Sequence, residues 1–221
     1  MKYKEITEGV FLDRPNRFVA HVELDGAVET VHVKNTGRCQ ELLVPGAAVR
    51  LEASDHPARK TKYDLVAVRK NGRGWVNIDS QAPNKVVGEW LQTQDYDRIR
   101  PEYLYGNSRI DFYMEKGDRK YLMEVKGCTL EVDGVGYFPD APTERGVRHL
   151  RELTQAQGEG YRCTAAFVIQ MEGIAEVRPN WETHPEFGRA LAEAKAAGVR
   201  VLFLQCSVGR ESLQIVGQRE G

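Results

Sequence analysis

The sequence is poor in cysteine, and none of its cysteines stand close together: Cys39, Cys128, Cys163 and Cys206 are far apart and form no Cys-x-x-Cys pair. That spacing excludes a disulfide-built scaffold or a zinc ribbon and predicts reduced, buried thiols. Long apolar runs are missing too. The first eight residues contain nothing of signal-peptide length, and no later stretch approaches the ~20 apolar residues a membrane span needs. The expectation is a cytoplasmic protein with no membrane partner. Nor is there an excess of charge of either sign. With 31 basic and 32 acidic residues the formal net charge is −1, so the chain is not a polycation that coats nucleic acid over its whole surface.

Several catalytic signatures are also absent. There is no Gly-x-Ser-x-Gly elbow, Gly134-x-Gly136 and Gly72-x-Gly74 do not complete a dinucleotide loop, and His21, His32, His56, His149 and His184 lack partners at metal-ligand spacing. Nucleophilic triads and Rossmann cofactors are disfavoured. What remains is ordinary globular material, 41% hydrophobic and 29% charged in 221 residues, enough for one large domain or two small ones.

The hydrophobic pattern changes along the chain. Residues 18–24 and 28–33 alternate around Asp25-Gly26, which is a hairpin signal. Further strands are expected at 47–53, 63–69 and 75–78, with one short helical turn at 38–43. Several short strands interrupted once by a small helix suggest a closed or partly closed barrel of the oligonucleotide-binding (OB) type. Near Ser80 to Asn84 the strands stop, and Val86, Val87, Trp90 and Leu91 recur at helical spacing. The domain boundary is therefore placed at 82/83, giving an OB-like domain over 1–82 and a second domain over 83–221. In the second part, strands are expected at 108–115, 120–126, 163–170 and 199–205. A helix capped by Thr143 runs to about Gln157, and another opens at Thr183-His184-Pro185-Glu186 with capping-box spacing. Strand, helix and strand in succession predict an α/β domain with a mixed sheet.

One constellation carries chemistry. On an extended strand Glu124 and Lys126 project from the same face while Val125 points into the core. Asp111, on the preceding strand, is brought opposite them if the two strands form a hairpin. Two carboxylates and the Val125 carbonyl offer hard oxygen ligands suited to Mg2+ or Mn2+. Lys126 can position a water or offset charge on a phosphoryl transition state. By spacing alone such a set arises by chance in roughly a third of chains this long, and a cross-strand ion pair explains it equally well. Arg145, His149 and Glu152 are expected on the exposed face of the following helix as supporting residues. Glu89, on the helix after the boundary, is a further candidate carboxylate. A local basic cluster, Arg59, Lys60, Lys62, Arg69, Lys70 and Arg73 against the single acid Asp64, is a candidate nucleic-acid surface or a charged sheet edge.

These residues also lie within motifs that resemble a known family. Arg14-Pro-Asn-Arg-Phe18, Asn35-Thr-Gly-Arg38, Tyr63-Asp-Leu-Val-Ala-Val68, Ser108-Arg-Ile-Asp-Phe112, Glu124-Val-Lys126, and Phe138-Pro-Asp-Ala-Pro-Thr-Glu-Arg-Gly146 with His149-Leu150 are similar to the sugar fermentation stimulation proteins of bacteria and archaea. The resemblance implies an N-terminal OB barrel and a C-terminal domain like the PD-(D/E)xK nucleases, with Asp111, Glu124 and Lys126 in the motif positions. It also implies DNA binding, in which Arg38 is included, and a link to sugar use, mainly maltose. Gly106-Asn-Ser-Arg109 stands where many related nucleases have a proline.

Three functions follow as expectations: a metal-dependent nuclease acting on nucleic acid, DNA first; a DNA-binding regulator of sugar metabolism that does not cleave; and an adaptor for a protein or an oligosaccharide. Oligomeric state is left open, a homodimer included.

Overall fold

A computed structural model describes residues 1–221 except Thr36, His56, Pro57 and Asn107; His56, among the histidines considered above, therefore lies outside the described residues. The first half is built from β1 (Ile6–Asn16), β2 (Val19–Leu24), β3 (Ala27–Val33), β4 (Ala48–Ala53), β5 (Tyr63–Lys70) and β6 (Gly74–Asn77). Antiparallel pairing runs in the order β3-β2-β1-β4-β5-β6, and a short parallel pairing of β3 with β5 closes the first five strands into a barrel. The β2–β3 turn is Asp25-Gly26 with both residues at positive φ, the twist a two-residue hairpin requires. Residues 39–43 form one turn, the Leu43 amide bonding the Cys39 carbonyl at 2.9 Å. Strand β1 was not expected from the sequence; it is the barrel's central staple, pairing with both β2 and β4, and its burial alternates too irregularly to announce a strand.

The second half comprises α1 (Ala82–Leu91), β7 (Arg98–Tyr105), β8 (Ser108–Lys116), β9 (Arg119–Cys128), β10 (Leu130–Val132), β11 (Val135–Phe138), α2 (Glu144–Gly158), β12 (Arg162–Ile169), β13 (Val177–Pro179), α3 (Pro185–Ala196), β14 (Arg200–Val208) and β15 (Leu213–Glu220). Six strands form a mixed sheet in the order β15-β14-β12-β9-β8-β7, with β9, β12 and β14 parallel to their neighbours within that run and antiparallel pairs at both ends. A small sheet, β10-β11-β13, sits beside it. No described helix is long and apolar enough to cross a membrane.

The alternation of β9 sorts its side chains between two cores. Val125 joins the cluster formed with Val86, Val87 and Leu91 of α1, whereas Leu150 and Leu153 of α2 belong to the other face. The Thr143 hydroxyl caps α2 by accepting from the Gly146 amide at 3.0 Å. At α3 the expected capping box does not form: His184 is the cap residue without a side-chain cap bond, because Glu186 is drawn to Arg151 and Arg189 instead. All four cysteines are free and buried, and burial pushes their thiols up to about 12, which makes them inert.

Barrel and sheet are joined by a buried polar network. The Asn77 amide donates to the Gln170 carbonyl at 2.9 Å, and Gln170 Nε2 donates to Asn77 Oδ1 at 2.9 Å and to the Asp79 carbonyl at 3.1 Å. Asn77 Nδ2 in turn donates to the Tyr3 hydroxyl at 2.7 Å. One apolar cluster continues across the junction, holding Val76 and Ile78 together with Met171. Gln170→Ala leaves buried acceptors without donors and is expected to cost about 1–3 kcal/mol, lowering the midpoint of a single urea transition. Two separable transitions, only one of them shifted, would show that the halves do not share a core.

Candidate functional site

The β8–β9 ladder pairs Lys116 with Arg119 through Phe112 with Met123, and stops there. One step further the strands are held by a side chain: Asp111 Oδ2 accepts from the Val125 amide at 2.7 Å. Its other oxygen accepts from Asn84 Nδ2, on the first turn of α1, at 2.7 Å. The carboxylate thus takes the place of a ladder carbonyl where the strands part. Asn84 was missed by the sequence reading. The signal was its position on the exposed side of an amphipathic helix, which does not separate it from any surface asparagine.

Glu124 is 2% exposed. Lys126 Nζ donates to its Oε1 at 2.5 Å, and His149 Nδ1 reaches the same oxygen from α2. Arg145 Nε, one turn earlier, faces His149 Nε2 at 3.3 Å. His149 was expected on an exposed helix face; it is instead buried against the sheet, because the stripe that carries Val147 and Leu150 also turns residue 149 inward. Glu124 Oε2 is buried with no hydrogen-bond partner among the described residues. Burial by itself would raise the Glu124 carboxyl, but Lys126 and His149 together hold it below the ordinary glutamate value. Asp111 shifts the other way: burial first, and then the neighbouring Glu124 charge, raise it above the ordinary aspartate value. The pair is a site where one more positive charge is favoured.

The remaining candidates fall into separate places. Glu152 accepts from the Ser108 hydroxyl at 2.6 Å, and its second oxygen is also buried, with no partner among the described residues. Glu89 is not part of the constellation: it is exposed and pairs with the Met1 ammonium at 2.6 Å. The basic cluster does not form one patch. Arg59 pairs with Asp64 at 2.6 Å, whereas Lys70 and Arg73 both pair with the buried Glu131 of β10, at 2.6 and 2.9 Å. The two groups stand towards opposite ends of β5, with Asp64 and Lys70 about 20 Å apart along the strand at ~3.3 Å per residue. Lys60, Lys62 and Arg69 are exposed, as is Arg38. Among the described histidines, His21 and His32 are bonded to Asp13 and Asp64, and His184 accepts from the Thr143 amide.

Among the described residues, no group of three or more His, Cys, Asp and Glu stands at metal-holding separation. The fit to a hard divalent cation rests on oxygens: two carboxylates side by side, one with a buried oxygen to spare, and the backbone carbonyl between Glu124 and Lys126. His149→Ala removes one of the groups that compensate Glu124 and is expected to cost about 1–3 kcal/mol at neutral pH. Since the folded Glu124 value lies below the ordinary 4.5, that pairing stabilises the protein above pH 4.5 and fades as pH falls through the folded value. Urea denaturation near neutrality and in acid should therefore show the gap between variant and wild type narrowing in acid; a gap that widened would contradict the assignment.

Comparison with known proteins agrees over the full length of the chain. Residues 12–78 match the SfsA N-terminal OB domain and residues 81–212 the sugar fermentation stimulation protein RE domain. Sugar fermentation stimulation protein homologs from Desulfitobacterium hafniense DCB-2 and Clostridium beijerinckii are 54% and 51% identical, covering 97% of this chain in each case and 95% and 96% of the relatives. The solved structure of Pyrococcus furiosus SfsA in complex with Ca2+ superposes with a TM-score of 0.84 at 28% identity, covering 99% of this chain and 96% of that one. The chain belongs to the sugar fermentation stimulation protein family, with an OB barrel followed by a mixed-sheet α/β domain.

Proposed function

We propose that the protein is a DNA-binding, divalent-metal-dependent nuclease of the PD-(D/E)xK kind. The observation that carries this reading is the meeting of Asp111, Glu124 and Lys126 where β8 and β9 part, with one Glu124 oxygen buried and unpartnered among the described residues. A pure DNA-binding surface gains nothing from a buried carboxylate and a half-buried one beside a phosphate. The Ca2+ complex of the Pyrococcus furiosus relative supports a divalent cation as the occupant.

Asp111, Glu124 and the Val125 carbonyl would hold Mg2+ or Mn2+, with water completing the shell as magnesium prefers. When bound, such an ion supplies Lewis acidity and lowers the pKa of coordinated water. The chain's own residues do the rest. Lys126, anchored on Glu124, places a compact positive charge where the phosphoryl group gains negative charge and where an attacking water is to be oriented. His149 positions Glu124 from behind, and Arg145 faces the far ring nitrogen of His149. Asn84 and the Val125 amide fix the rotamer of Asp111, so neither carboxylate reorganises when the charge develops.

With Mg2+ or Mn2+ the protein is expected to cleave plasmid or oligonucleotide DNA and to lose activity on chelation. Lys126→Ala and Glu124→Ala should each lower the rate about 100-fold or more. Wild-type protein that binds DNA but cleaves none of a panel of single-stranded, duplex and circular DNA with either metal would leave the regulator, and not the nuclease, as the function.

The metal can also be followed without catalysis. Ca2+ at about a hundred times its dissociation constant stabilises the folded protein by about 2.7 kcal/mol, and Asp111→Ala should abolish that gain. An equal gain in the variant would place the cation elsewhere.

A further inference from the structure

Between the barrel and the α/β domain lies a cavity of about 440 Å³. It adjoins the site just described, because two of its walls are chain neighbours of site residues: Pro83 precedes Asn84, and Gly127 follows Lys126. Thr143, the cap of α2, and the half-buried Phe138 ring line it from the motif that precedes that helix. From the barrel side come Arg17, Asn35 and Ser80. Glycines let the walls of the cavity pack closely against one another. A β-carbon at Gly127 would stand 2.4 Å from Gln170 Oε1 and 2.9 Å from Pro83, and one at Gly37 would stand 2.3 Å from Asp140 Oδ2.

The barrel edge of this cavity is rigidly built. The guanidinium of Arg14 donates to four backbone carbonyls, those of Arg17, Asn35, Gly37 and Arg38, at 2.6 to 3.0 Å. That single side chain ties the loop after β3 to the β1–β2 turn. Beyond the turn Phe18 is 46% exposed, with the Arg17 guanidinium 4.9 Å above its ring. Phe18 lines a smaller hollow that shares Asn35 and Ser80 with the main cavity. An exposed aromatic ring beside a cation is the arrangement that stacks an unpaired base.

Size and charge select the occupant. The volume lies within the range of single small-ligand pockets, roughly 300–1,000 Å³, and holds one nucleotide but not a base pair. Asp140, half-buried at the cavity wall and without a hydrogen-bond partner among the described residues, repels a phosphate and accepts from the amino edge of a base. The phosphate is left to the Lys126 side.

We propose that this cavity seats one unpaired nucleotide next to the scissile phosphate, with Arg17 and Phe18 stacking its neighbour, so that the protein takes a single strand or a frayed end of DNA and not an intact duplex. The proposal rests on the nuclease reading for the position of the phosphate, and it moves the nucleic-acid face of the barrel from the compensated 59–73 cluster to the β1–β2 turn. It assigns a function to Phe138 through Thr143 and to Asn35 and Gly37 that the metal site alone does not require.

The test uses the full-length protein with fluorescent oligothymidine of 12 nucleotides, and a blunt duplex of the same length, in buffer containing Ca2+. Phe18→Ala removes an exposed ring, and Ser80→Trp fills the shared rim from an exposed position; circular dichroism and thermal melting establish that both fold. Wild type is expected to hold the single strand at least tenfold more tightly than the duplex. Each variant should bind oligothymidine about tenfold or more weakly, with duplex binding unchanged. Equal binding of strand and duplex by wild type, or wild-type affinity in both variants, overturns the proposal. A cleavage assay with Mn2+ run beside it separates the two readings. Loss of strand binding in the variants without any cleavage by wild type would sink the nuclease and keep the cavity; equal cleavage of closed circular duplex and oligothymidine would do the reverse.

Discussion

A glutamate carboxylate buried to 2% exposure is the constraint around which the second half of the molecule is arranged. Taking such a charge out of water costs several kcal/mol unless it is paired. Lys126 from the same strand and His149 from α2 both converge on one of its oxygens. The other oxygen is left with no donor among the described residues. A purely structural ion pair gains nothing from that vacancy, since a fully satisfied carboxylate or an apolar residue is cheaper at the same position. Asp111 repeats the theme from β8: its carboxylate replaces a ladder acceptor, and the neighbouring negative charge raises its proton affinity. Both acids are held in a state that a divalent cation relieves, the usual exchange of stability for function.

The rest of the fold fixes where this site stands. Although β8 leaves β9 beyond Met123, β12 stays paired with β9 through Cys128, so Glu124 and Lys126 are carried by backbone held in the sheet. α2 brings His149, and α1 brings Asn84, from opposite faces of that strand's neighbourhood. The barrel is not a loosely tethered module. Asn77 and Gln170, with Tyr3 behind them, stitch it to the end of β12 through bonds buried from water, so the cavity between the halves has a defined shape.

Much of this was legible in the residues. The Asp25-Gly26 hairpin, the strands of β4 to β6, the valine stripe of α1 and the Thr143 cap were all fixed by local rules of turn chemistry and periodicity. So was the shared face of Glu124 and Lys126, because the period of a strand is two. The motif resemblance reached further, to the OB barrel and the family. What failed to show was what tertiary contacts decide. β1 pairs on both sides, and its irregular burial hid it; the Asp133-Gly134 turn between β10 and β11 was a readable signal passed over. The 59–73 cluster looked like one basic surface because sequence does not reveal that Glu131, sixty residues on, neutralises one end of it. His149 was assigned to solvent because a histidine among charged residues carries no mark of the buried acid it meets, and Glu89 to the site because its true partner, the Met1 ammonium, is remote in sequence. Arg14 likewise reads as one more surface cation until its four carbonyl partners are seen.

The central claim is that Asp111 and Glu124 jointly hold a divalent cation through oxygens the protein leaves available. A manganese-soaked crystal, with anomalous differences collected at the manganese edge, tests it without reference to any substrate. The account predicts one strong peak within coordination distance of both carboxylates and of the Val125 carbonyl. A map with no peak there, or with manganese bound only at surface acids, would contradict it.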